Sequence, residues 1–162
     1  MTEAERLADQ LTRYFLKNTG IFLPFVDATD GLTAVQALCV PQEKFNSVWG
    51  VVNHVCYWIE AALLVIQDEN KQPETAGRDT GGWHVPDSAD DAAWQALRAQ
   101  TIDLNNQLAS AISQLNDEQL HTVKPAWKST PYQIGQSIIS HNSYHICEVI
   151  TLRHMQGLWV KS

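Results

Sequence analysis

The sequence predicts an all-α protein built as one four-helix bundle. Three observations carry that expectation. Four segments read as helices, one with an apolar face, one apolar on most sides and two with apolar residues at alternating three and four spacing; generous connections separate them, and no strand-like alternation of comparable quality occurs. A chain of 162 residues can bury a substantial core, so residues 1–162 are expected to form a single domain. Periodicity alone does not determine the direction of the helices.

The first helix lies in "TEAERLADQLTRYFLKNTG". Thr2 and Glu5 stand in capping-box spacing, Ala4, Leu7, Ala8, Leu11, Tyr14 and Phe15 share one face, and Gly20 ends it. The following "IFLPFVDATDGLTAVQALCVP" carries Pro24, Gly31 and Pro41, leaving room for at most a short helical turn around "TAVQAL". From about Gln42 to Gln67 the chain is apolar on most sides, with Phe45, Val48, Trp49, Val52, Val55, Ile59 and Ile66, as a helix covered by several neighbours would be. A polar, aperiodic loop, "DENKQPETAGRDTGGWHVPDS", should cross one end of the bundle. Ser88 with Asp91 opens the third helix, whose seam runs Trp94, Leu97, Thr101, Leu104, Leu108, Ala111 and Leu115. "NDEQLHTVKPAWKST" breaks the pattern, and Pro131 begins the last helix.

Composition narrows the function. The net charge is −7 with a pI near 5.2, and the eleven Lys and Arg residues are scattered. Neither a nucleic-acid backbone nor an anionic membrane surface suits such a chain. "MTEAERLADQ" lacks the basic start and apolar core of a secretory signal, so a cytoplasmic protein beginning near Met1 is expected. The most apolar run, Val51 to Ile66, is short for a bilayer and includes Asn53, His54 and Glu60, which marks a core helix. Cys39, Cys56 and Cys147 are odd in number without CxxC spacing; buried free thiols are expected rather than a disulfide framework or zinc knuckle.

The chemistry concentrates in "HNSYH". In the fourth helix the seam runs Ile134, Ile138, His141, His145, Glu148, Leu152, Met155 and Trp159, which aims two histidines at the core. Four residues turn a helix by about 400°, so the two rings lie roughly 40° apart on one face, the spacing by which helices commonly supply two zinc ligands. His54, near the middle of the most buried helix, is the third candidate. The competing reading is a hydrogen-bonded polar core. Burying unpartnered imidazoles costs a few kcal/mol each, and so apolar a stripe offers few acceptors, which favours a shared ion.

"FNSVWGVVNHVCYWIEAAL" resembles the second-helix motif of the DinB-like (damage-inducible) superfamily, and "IGQSIISHNSYHICEVITLRHMQGLW" its last helix with HxxxH and a trailing "LR". The likeness follows the helix order of the whole chain, but only these two segments are specific. It implies metal ligation by His54, His141 and His145, usually of zinc or nickel, in a bundle of up-down-down-up direction that is often a homodimer. The family often has glutamine where this chain has Glu148. Glu148 lies one turn beyond His145 on the same face and could ligate the ion, orient a histidine, or stand in solvent.

Three imidazoles leave a tetrahedral ion one open position. No HExxH, GxSxG or recognisable nucleophile pair accompanies it, and Glu60 should point elsewhere. Asn53, Asn142 and Tyr144 flank the ligands as second-sphere or interhelical contacts. Trp83 and His84, in "GGWHVPD", are the candidates for a lid or pocket, with a structural tryptophan anchor as the plainer reading. His154 should face outward, and His121 carries no pattern. The resemblance implies a metal-dependent S-transferase or hydrolase joining a low-molecular-weight thiol or water to a small electrophilic substrate. The alternatives are a non-catalytic stress-associated bundle with a structural metal or small ligand and, ranked last for want of inward glutamates, a di-iron carboxylate bundle.

Overall fold

The computed structural model describes residues 1–68 and 82–160. Helix starts follow local capping chemistry. In α1 (Glu3–Leu16) the Thr2 hydroxyl accepts from the Glu5 N–H while the Glu5 carboxylate accepts from the Thr2 N–H. The same reciprocal pair opens α3 (Ala34–Leu38) through Thr33 and Gln36, α6 (Asp117–His121) through Asn116 and Gln119, and α7 (Pro131–Met155) through Thr130 and Gln133. Pro24 precedes α2 (Phe25–Thr29). Ser47 caps α4 (Val48–Gln67) by accepting from Gly50, and Asp90 caps α5 (Asp91–Ser113) by accepting from Ala92 and Ala93. Among the described residues there is no strand, only an isolated bridge between Lys124 and Ser129.

The four long helices close a ring in which α1 packs on α5 and α7, and α4 packs on the same two. Trp94 is fully buried at the start of α5; its indole donates to the Leu32 carbonyl at 2.9 Å and its ring lies 5.3 Å from Trp49 at the start of α4. Near the start of α7, Gly135 permits close approach, since a methyl group there would meet Leu7 of α1 at 2.8 Å and Ile112 at the end of α5 at 3.2 Å. Backbone carbonyls take up part of the polar capacity inside the ring, while among the described residues Oδ1 of Asn105 and Nε of Arg153 stay without a hydrogen-bond partner. Asn105 donates to the Leu11 carbonyl, and the Arg153 guanidinium donates to the carbonyls of Ala28 and Asp30.

Several boundaries differ from the sequence reading. The second long helix begins at Val48 rather than about Gln42, because Lys44 adopts a left-handed φ of 70° and Ser47 caps the chain afresh; Phe45 is left 46% exposed. The helix has 20 residues, long and apolar enough by composition to cross a membrane. Its place against α3, α5 and α7 makes it a core helix, so burial rather than shortness is the telling fact. α1 ends at Leu16, with Gly20 in the turn beyond. Asp90 rather than Ser88 caps α5. The one-turn helices α2 and α6 are additions within the connectors.

Asn105, Ala109 and Ile112 join the buried face of α5, since α1 and α4 cover it from two sides. The α7 seam fails beyond Leu152: the helix stops before Gly157, leaving Met155 and Trp159 exposed. Cys56 is buried as expected, whereas Cys39 and Cys147 are exposed, one just past α3 and the other on the outer side of α7. Residues 69–81 of the predicted crossing loop lie outside the described residues.

Candidate metal centre

α4 and α7 are neighbours, and their contact brings His54 to the HxxxH pair. Nε2 of His54 and Nε2 of His141 are 3.2 Å apart, and the ring centroids of the three histidines are separated by 4.5, 4.8 and 5.1 Å. One nitrogen from each residue falls within 4.8 Å of the others. His145 is buried; His54 and His141 are half-buried.

The groups behind the rings turn them toward a common point. Nδ1 of His145 faces Oε2 of Glu148 at 2.8 Å, and with that nitrogen as donor, Nε2 is the one left to bind an ion. Oε1 of Glu148 accepts from Asn46 at 2.9 Å, tying the carboxylate to the approach of α4. Nδ1 of His141 lies 3.4 Å from Oδ1 of the buried Asn142. Burial, reinforced by the neighbouring His145, pushes the pKa of His141 down to about 4, so this ring is in its neutral, metal-binding form at ordinary pH. Burial pushes Glu148 upward, but the hydrogen bonds from His145 and Asn46 outweigh it and hold the carboxyl below its usual range, ionised.

Aromatic rings wall this group. Trp83 stacks on His54 with centroids 4.0 Å apart and planes 18° from parallel. Trp58 stands edge-on to His54 and packs on Trp127, and the exposed Tyr144 lies edge-on to His145 at 4.9 Å.

The donor set fits a divalent ion. Metal–imidazole distances of about 2.0–2.1 Å in a tetrahedral array require nitrogens roughly 3.3 Å apart. The 3.2 Å between His54 and His141 meets that requirement, and the nitrogen of His145 lies within 4.8 Å of both. A hydrogen-bonded polar core would account for His54 with His141 and for His145 with Glu148 as two separate pairs, but not for the gathering of one nitrogen from each of the three rings. The family model of the DinB superfamily matches residues 25–149, a span that contains His54, His141, His145 and Glu148. The chain belongs to the DinB superfamily. Comparison with curated proteins and with solved structures gives no match.

In this DinB protein the three predicted histidines converge, and Glu148 stands behind His145 instead of in solvent. Trp83, a candidate for a lid or pocket, lies flat on His54. His84 is exposed; only its carbonyl contributes, accepting from Asn53 at 3.1 Å. Glu60 is exposed, as expected. His154 does not stand free in solvent but is half-buried against Trp159, and His121 faces Glu3 at 2.8 Å, away from the centre. Asn46 and Trp58 went unnoticed in the sequence. Trp58 is four residues after His54 on the same helix face, a signal that could have found it, whereas Asn46 reaches Glu148 across 102 residues and carried none.

Proposed function

We propose that this DinB protein holds a divalent ion, zinc or nickel, on His54, His141 and His145, and is a metal-dependent thiol S-transferase or hydrolase acting on a small electrophile. The convergence of three imidazole nitrogens within 4.8 Å carries the proposal. Imidazole suits these borderline metals better than harder ions. When bound, such an ion supplies Lewis acidity, making a low-molecular-weight thiol or water nucleophilic at neutral pH.

The chain's own residues prepare that position. Glu148 orients His145, His141 resists protonation, and the aromatic walls limit access of bulk water. A groove of about 340 Å³ lined by Phe45, Tyr144, Cys147, Glu148, Thr151 and Leu152 shares Glu148 with the centre and is the proposed substrate approach. The up-down-down-up course of the family belongs to the same reading. It is supported by the meeting of the beginnings of α4 and α5 at Trp49 and Trp94, and by Gly135 near the start of α7 lying against Leu7 near the start of α1. A cytoplasmic homodimer completes the proposal, consistent with three cysteines free of disulfides; light scattering tests the dimer.

A second reading, a non-catalytic bundle with a structural metal, draws on Trp83 covering one face of His54. Metal analysis of untagged protein should find one ion per chain, lost in His54→Ala and His145→Ala; full metal content in the variants refutes the site. A turnover screen with thiols and electrophiles, combined with melting of the metal-free protein, separates the readings. Turnover with little change in stability supports the enzyme, and a steep fall in melting temperature without turnover supports the structural role.

A further inference from the structure

The segment that carries Trp83 is clasped to α4 at the level of His54. Gly82 has φ of +79°, a conformation that side-chain-bearing residues rarely adopt, and its α-carbon is pressed on the helix. A methyl group on Gly82 would meet Cβ of Tyr57 at 2.7 Å, Cα of His54 at 2.9 Å and the Asn53 carbonyl at 3.0 Å. On the helix side Gly50 faces the segment, where a methyl would be in ordinary contact with Val85 at 3.5 Å and the Trp83 carbonyl at 3.7 Å. Asn53 then donates its amide to the His84 carbonyl at 3.1 Å. The close approach of Gly82 and one hydrogen bond hold residues 82–85 along about two turns of α4, and an indole lies flat on His54.

We propose that Gly82 and Trp83 form a clasp in which Trp83 is a positioning residue for the metal centre, fixing the plane of His54 and slowing exchange of whatever the centre holds. This rests on the metal-binding reading above. His145 has Glu148 and His141 has Asn142 beside their outer nitrogens, so each ring of α7 is oriented through a polar group on its own helix. His54 in addition carries the Trp83 indole flat against the face of its ring. The indole spans from His54 toward His145, with centroids 5.8 Å apart, and so screens the side of the centre that faces the segment. Stacking also excludes water from that face, which strengthens bonds between the nitrogen and a cation. Removal of groups that orient ligands typically costs about 10–100-fold in metal affinity.

Cobalt(II) is the probe, because its visible d–d bands report coordination geometry independently of activity. Wild type, Trp83→Phe, Trp83→Leu and Gly82→Ala are titrated with cobalt, competed with a chromophoric chelator, and mixed rapidly with excess chelator to time release; far-UV circular dichroism records folding. The expectation is one cobalt per chain in wild type and Trp83→Phe. Trp83→Leu and Gly82→Ala should show affinity lower by about 10-fold or more, release accelerated to a similar degree, and altered d–d bands. A helical Trp83→Leu protein that melts earlier yet keeps the wild-type bands, affinity and release rate overturns the proposal, since Trp83 would then be packing only. Failure of wild type to bind cobalt is a separate outcome; it overturns the metal-binding reading, and this proposal with it.

Discussion

Glu148→Ala tests the assignment of the carboxylate behind His145. In the native chain one oxygen accepts from Nδ1 of His145 at 2.8 Å and the other from Asn46 at 2.9 Å. A hydrogen bond to a charged group contributes about 1.5–3 kcal/mol, and what Glu148→Ala removes is the part that holds His145 in its ligating orientation. At 1.4 kcal/mol per tenfold, that is a loss of roughly 10–150-fold in zinc affinity, in line with the usual cost of losing an outer partner of a metal-bound histidine. Glu148→Gln keeps an acceptor but not the charge, and neutral hydrogen bonds are about half as strong, so it should fall between. Competition of each protein with a chromophoric chelator at fixed pH and salt measures the effect, alongside urea unfolding of the metal-free forms. Unchanged affinity in Glu148→Ala would show that the carboxylate does not orient His145. Complete loss of metal, equal to that of His145→Ala, would show instead that Glu148 is itself a ligand.

Three further outcomes are expected. His141 has a pKa of about 4 in the folded chain against 6.5 when unfolded, so between those values the unfolded chain takes up the proton that the folded one refuses. The metal-free protein should therefore lose stability as pH falls from 6.5 toward 4, with no further loss from this group below; melting temperatures across that range should show a shallower slope for His141→Gln. Thiol labelling at neutral pH should titrate Cys39 and Cys147 quickly and Cys56 only on unfolding, because burial raises the Cys56 thiol above its ordinary value; three fast thiols would contradict that burial. Trp94→Ala removes a fully buried indole and its bond to Leu32, and should cost about 3–5 kcal/mol in urea unfolding, a loss below 1 kcal/mol being inconsistent with the packing described.

Much of the centre was legible because its logic is local. His141 and His145 share a face by helical spacing, whatever surrounds them, and capping pairs such as Thr2 with Glu5 or Thr130 with Gln133 lie within one turn. The start of α4 was misplaced for the complementary reason: Phe45 fits the apolar pattern, but the left-handed Lys44 and the Ser47 cap interrupt it. Cys147 and Met155 read as interior by composition and seam, yet lie where no neighbouring helix covers them.

An all-helical chain with two histidines on one inward face follows from residue order alone, because three-four periodicity and caps act over a single turn. That His54, named by the sequence, comes within reach of them, that Glu148 lies beside His145, and where Trp83 comes to rest were decided by packing. His54 and His141 are 87 positions apart, and Asn46 and Glu148 are 102. Contacts of that span depend on how α4 and α7 approach each other, which no local pattern encodes.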